Sequence, residues 1–209
     1  MAVDTPKRKA FSKFTLAEAY KQLGINNLIP WEIDFTLITP TEAFEVHLQR
    51  LRAFDLQRSE EGKKLLIDAI LLEAIQGFET LKLWKGAAFE APFAHGAADY
   101  LMTENKGYFE APFLCVIEAK KDDFEQGLAQ CLVEMLACQW NNQETDRSFD
   151  VFGIVTNGEG WKFYKLTTEN RVWETLMFSI SGIEAILGQL NYLFRQCASN
   201  LEQIPNDSP

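Results

Sequence analysis

The feature that most restricts what this chain can fold into is the run Phe113-Leu114-Cys115-Val116-Ile117-Glu118-Ala119-Lys120, apolar for five residues and then abruptly charged. An apolar run of this length bounded by polar segments reads as a buried strand. Side chains alternate across a strand, so Glu118 and Lys120 point one way and Ala119 the other. The strand therefore ends with a carboxylate and an ammonium side by side at the rim of a sheet. Lys121 follows, out of phase.

The flanking pattern says what kind of sheet this is. Residues 62–76 are apolar nearly all round, which predicts a central helix starting near Ser59 and ending at Gly77. Strands are expected at 80–89, 97–103 and 113–120, then a helix over 124–140 opened by Asp123 and Gln126. A buried strand at 149–156, an Asn157-Gly158 hairpin signal that Gly160 lengthens, and strands at 161–166 and 172–178 follow. A last helix spans about 181–202. Upstream, Thr15 and Glu18 make a capping box for a short helix ended by Gly24, residues 25–39 are irregular or extended, and Thr39 or Thr41 opens a helix to about residue 54. Residues 1–14 read as a loose basic arm, whose Lys7-Arg8-Lys9 run could touch phosphate. This order predicts an α/β layered domain with a central mixed sheet flanked by helices.

Composition excludes several classes. At 209 residues, 47% hydrophobic and 24% charged, the chain is long enough to bury a core without disulfides. No apolar run approaches the roughly 20 residues of a membrane span. The N-terminus has no apolar stretch of a signal peptide, so a cytoplasmic location and no membrane partner are expected. Cys115, Cys131, Cys138 and Cys197 form no Cys-x-x-Cys pair and read as small core residues. No glycine-rich phosphate loop is present. The net charge of −10 argues against a broadly basic nucleic-acid surface.

Acidic residues in apolar surroundings carry the chemical signal. Asp99 lies in the run Ala97-Ala98-Asp99-Tyr100-Leu101, where strand propensity does not explain it. If strands 97–103 and 113–120 pair as a hairpin, Asp99 approaches Glu118. Two close carboxylates repel unless a cation lies between them. Mg²⁺ suits such a pair, completing its shell with water and phosphate oxygens, with Lys120 stabilising developing negative charge. Glu73 shares a helical stripe with Leu66, Ile70 and Gly77, and could serve a site or simply form a surface ion pair. Gln126, Gln130 and Glu134 form one stripe, compatible with a solvated face or with a site. Trp161, Phe163 and Tyr164 have the spacing of packing residues, while His95 reads as a loop residue near the site and His47 as a helix residue without a role.

Taken in order, these segments resemble the PD-(D/E)XK, or restriction-endonuclease-like, nuclease superfamily. GAADYLM, then VIEAKKDDFEQGLAQCLVEMLA, then FGIVTNGEGWKFYKL is similar to the N-terminal nuclease domains of type I restriction enzyme R subunits. The resemblance covers about residues 60–178. It implies a restriction-endonuclease-like fold in which Asp99, Glu118 and the carbonyl of Ala119 bind Mg²⁺ or Mn²⁺. It also implies that Lys120 positions or activates water, that Glu73 supplies the acid of the first core helix, and that Gln130 is the glutamine of the helix after the motif. Two positions depart from the pattern: Glu134 stands where many relatives have tyrosine, and Ala98 where a proline often precedes the aspartate.

The expectation is thus an arm and helical extension over 1–55, a nuclease core over 56–203 and a disordered tail over 204–209. The activity implied is metal-dependent hydrolysis of phosphodiester bonds in DNA, with RNA as the other candidate substrate. The alternative is an inactive nucleic-acid-binding or regulatory module on the same fold. Because the chain is acidic, DNA affinity would come from partner subunits, from a homodimer with Tyr192 and Phe194 at its face, or from a local patch of Lys82, Lys85, Lys121, Lys162 and Lys165.

Overall fold

The computed structural model describes residues 8–120 and 123–202. Its elements run β1 (Lys9–Ala10), a 3-10 turn, α1 (Leu16–Leu23), β2 (Ile29–Pro30), α2 (Glu42–Leu51), α3 (Glu60–Ala74), β3 (Leu81–Ala91), β4 (Ala94–Glu104) and β5 (Phe113–Ala119). They continue with α4 (Phe124–Gln143), β6 (Val151–Thr156), β7 (Gly160–Leu166), β8 (Val172–Glu174), β9 (Phe178–Ser179) and α5 (Ile183–Glu202). The strands form one sheet in the order β1-β4-β5-β6-β7-β8-β2, with β3 also on β4 and β9 also on β7. β5 is central, antiparallel to β4 and parallel to β6. The protein is therefore α/β with a mixed central sheet, as its pattern of runs predicts.

Helices cover both faces because β5 and β6 are buried at every position and need apolar cover on each side. α4 and α1 lie over one face, with Leu132, Val133 and Met135 against Val116 and Val155. α3 and α5 cover the other, with Ile67, Ile70, Leu190 and Phe194 against Ile117 and Ile154. All four cysteines are free and buried in these two layers. The helix starts are set by local chemistry. Thr15 and Glu18 form the full capping box, and Thr41, Ser59 and Asp123 each accept an N–H from the first turn of their helices. Gly24 ends α1 in the left-handed conformation.

Several details depart from the sequence expectation. Residues 8–14 are not loose: β1 pairs with β4, and Phe11 and Phe14 are buried. Two aromatic anchors outweigh the basic charge, since each buries apolar area that a frayed arm would leave in water. Arg8 and Lys9 are spent on Glu90 and Glu18, while Lys7 lies outside the described residues, as does the 204–209 tail. His95 is on β4 rather than in a loop, exposed and opposite Glu90. The turn after β6 is lengthened, as expected from Gly160, with Asn157 Oδ1 accepting the N–H groups of Glu159 and Gly160. The 172–178 strand is split in two, with Thr175 Oγ1 taking the N–H of Phe163 where a ladder bond would stand. Phe194 packs edge-on to Phe78 inside the core, so it is not available to a dimer face.

One feature of the sheet positions the site. β3 occupies one edge of β4 along its whole length. β1 and β5 must therefore share the other edge, β1 at Ala94 and His95 and β5 from Tyr100 onward. Between them, residues 96–99 of β4 are unpaired on that edge, and the sheet opens there.

Candidate active site

Asp99 stands at the opening, one residue before the last β4–β5 pair, Tyr100 with Ile117. Asp99 Oδ2 accepts the N–H of Ala119 at 2.8 Å, and Glu118 Oε1 accepts the N–H of Asp99 at 3.4 Å. Each carboxylate thus bonds to the backbone of the opposite strand and replaces the ladder that the separating strands no longer make. A residue's N–H and C=O leave a strand on the same edge, so the Ala119 carbonyl also faces this opening.

Glu118 is fully buried beneath α4. Its Oε2 lies 3.0 Å from the Lys120 ammonium and makes no hydrogen bond. Lys120 donates to Gln130 Oε1 at 2.9 Å, and Gln130 Nε2 donates to Glu134 Oε1 at 2.9 Å. The Gln130–Glu134 stripe is therefore not a solvated face. Both residues are buried and turned into the cluster, because α4 is enclosed by β5, β6 and α1. Gln126 instead donates to the carbonyls of Ser12 and Phe14 and ties the N-terminal segment to α4.

Burial dominates the electrostatics. It pushes the Glu134 carboxyl well up, and the charge of the neighbouring Glu118 carboxylate adds to this. Burial also raises Glu118, opposed by the polar neighbour Glu134 and by the Lys120 charge. Burial works against the Lys120 ammonium, but Glu118 outweighs it and the lysine holds its proton more tightly than usual.

Glu73 is not brought into this cluster. Its carboxylate accepts the Thr41 N–H at 2.7 Å and the Thr41 hydroxyl at 3.0 Å, holding the start of α2. It lies nine residues beyond Lys64, which is about 13 Å along a helix. The α3 residue at the site is Lys64, whose ammonium is 3.0 Å from Asp99 Oδ1 and 2.9 Å from Glu60 Oε1. Lys64 was not legible from periodicity, since its four-residue spacing from Glu60 reads as an ordinary surface pair. Gly127 was missed too. A β-carbon there would come within 2.9 Å of Lys120 Cγ and 2.7 Å of Val155 Cγ1, so glycine lets α4 pass close over the lysine.

Beside the cluster, Tyr100 donates to Asp68 Oδ1 at 2.8 Å and Lys85 pairs with Asp68 Oδ2. Among the described residues no three carboxylate, imidazole or thiolate side chains converge as a ready cation cage. A cation would rest on Asp99, Glu118 and backbone and water oxygens. That all-oxygen set, with Glu118 Oε2 buried and met by the Lys120 ammonium but by no hydrogen bond, fits a hard divalent ion.

Of the lysines expected to form a basic patch, the four among the described residues each have a partner. Lys82 donates to the Lys106 carbonyl and lies over Trp84, Lys85 holds Asp68, Lys162 pairs with Glu174, and Lys165 lies between Trp31 and Trp173 near Asp150. Lys121 lies outside the described residues. No helix among the described residues is long and apolar enough to cross a membrane.

No protein-family model matches the chain. It is 25% identical, over an aligned length of 223 residues, to Crinkler effector protein 1 of Rhizophagus irregularis, an alignment covering 97% of this chain and 46% of that protein. Over 52 residues, 24% of this chain and 13% of the relative, it is 44% identical to Crinkler effector protein 5 of Phytophthora infestans. The chain thus spans less than half the length of the curated relatives it matches, and it is similar to part of two proteins named as Crinkler effectors.

Proposed function

We propose that this domain is a metal-dependent nuclease of the restriction-endonuclease-like kind, hydrolysing phosphodiester bonds in DNA with Mg²⁺ or Mn²⁺. One observation carries the reading: Asp99, Glu118 and Lys120 converge where β4 and β5 separate, each fixed by a backbone or side-chain partner. Asp99, Glu118 and the carbonyl of Ala119 would hold the cation, which when bound supplies Lewis-acid charge beside the scissile phosphate. Glu118 is oriented by the Asp99 N–H and by the Lys120 ammonium. The role assigned to Lys120 is electrostatic, from its place beside Glu118. Its ammonium, aimed by Gln130, would hold the attacking water and offset the negative charge that grows on the phosphate oxygens.

The test incubates the purified chain with single- and double-stranded DNA and RNA plus Mg²⁺ or Mn²⁺, beside Lys120→Ala. The expected outcome is cleavage by the parent chain and a loss of about 10²-fold or more in a variant with an unchanged melting curve. Equal cleavage by both would reject the assignment. The second reading, a non-catalytic binding or regulatory module, draws on one observation: both oxygens of Asp99 already have partners, Lys64 and the Ala119 N–H. It predicts no cleavage of any substrate by a well-folded protein.

A further inference from the structure

We propose that Lys64 is an internal counter-ion of Asp99 that a divalent cation must displace before Asp99 and Glu118 can hold it together. This rests on the nuclease reading for the cation site itself, and adds a residue that the resemblance does not supply. Asp99 has two oxygens. Oδ2 is committed to the Ala119 N–H at 2.8 Å, a bond that also fixes the strand ends. Oδ1 is the one left to a ligand, and the Lys64 ammonium is 3.0 Å from it.

The placement of Lys64 is unusual on physical grounds. Lysines ordinarily keep the charged head in water, yet this side chain is only 13% exposed. What holds it there is acid on both sides: Asp99 across the opening, with Glu60 at 2.9 Å and Glu61 at 3.7 Å on its own helix. Those two glutamates are the basis of displacement. They are more exposed than Asp99, and they offer the ammonium a second resting place without breaking any backbone bond. Lys64 leaving Oδ1 would also stand at the mouth of the opening, available to a substrate phosphate.

Mn²⁺ binding to the full chain, followed by the electron paramagnetic resonance of the free ion and without nucleic acid, reads this directly. Lys64→Met is expected to bind Mn²⁺ on the order of tenfold more tightly than the parent, as removal of one opposing charge beside a ligand implies. Lys64→Arg, which keeps the charge, should stay near the parent. Melting curves check folding, and Lys64→Gln repeats the measurement if the methionine variant does not fold. Equal or weaker binding by the neutral variants overturns the counter-ion role while leaving the cation site standing. A gain that persists when Asp99→Asn is added places the ion elsewhere and overturns it as well. No Mn²⁺ binding by any variant overturns both this inference and the metal-dependent reading.

Discussion

At the scale of single residues, the site is held by contacts whose partners lie far apart in sequence. Gly127 is the sharpest example, because its role is the space it leaves. Alanine is the better helix former by about 1 kcal/mol. The added methyl, however, must displace Lys120 Cγ and Val155 Cγ1, an overpacking cost of about 1–3 kcal/mol. The net is a loss of up to about 2 kcal/mol, and only the clash acts on Lys120. Gly127→Ala should therefore lower the melting temperature modestly and the cleavage rate far more. Denaturation curves and single-turnover rates on the same preparation check this, and a variant with full activity would mean that Lys120 is not positioned by α4. Glu134 teaches a related point. Its stripe with Gln126 and Gln130 is polar, and polarity on a helix normally means solvent. Here it means a buried bonded network, which periodicity alone does not distinguish.

At the scale of elements, α4 is the part that organises the chemistry. One end brings Gln130 and Glu134 to the strand termini, and the other secures the start of β5. There Asn142 Oδ1 accepts the Phe113 N–H at 2.7 Å and its amide donates to the Phe113 carbonyl at 2.8 Å, all of it buried. Asn142→Ala leaves both backbone groups without partners, which costs roughly 2–4 kcal/mol. Chemical denaturation should register that loss, with the slope against denaturant unchanged; a change below about 0.5 kcal/mol would mean that water takes over both bonds. Most element positions were legible in the chain itself, because caps such as Thr15, Ser59 and Asp123 and the apolar runs at 113–117 and 151–155 act locally. The misread places are those where distant partners decide. Phe11 and Phe14 order a segment that looks like a frayed arm, and Thr175 interrupts a strand by bonding to Phe163.

At the scale of the whole molecule, an acidic chain and a polyanionic substrate pull in opposite directions, and ion pairing sharpens the conflict. The net charge is −10, and Lys82, Lys85, Lys162 and Lys165 are each occupied by a carboxylate, a carbonyl or an aromatic face. Binding of duplex DNA by this chain alone should therefore depend only shallowly on salt. Fluorescence anisotropy between about 50 and 200 mM salt should give a log–log slope equivalent to fewer than about three phosphate contacts. A slope equivalent to six or more would reveal a basic groove that these ion pairs conceal.

The chain by itself determined the sheet and its helices, because apolar periodicity, capping residues and turn residues act over a few positions. It also marked Asp99, Glu118 and Lys120, since neither strand propensity nor apolar packing accounts for charged residues within and at the end of apolar strands. Only the tertiary structure decided which further side chains meet them. Helical spacing puts Glu73 and Lys64 on the same element, but the docking angle and depth of α3 choose Lys64 for Asp99 and leave Glu73 to cap α2. That choice depends on where the sheet opens along β4, a long-range packing outcome that no local pattern encodes.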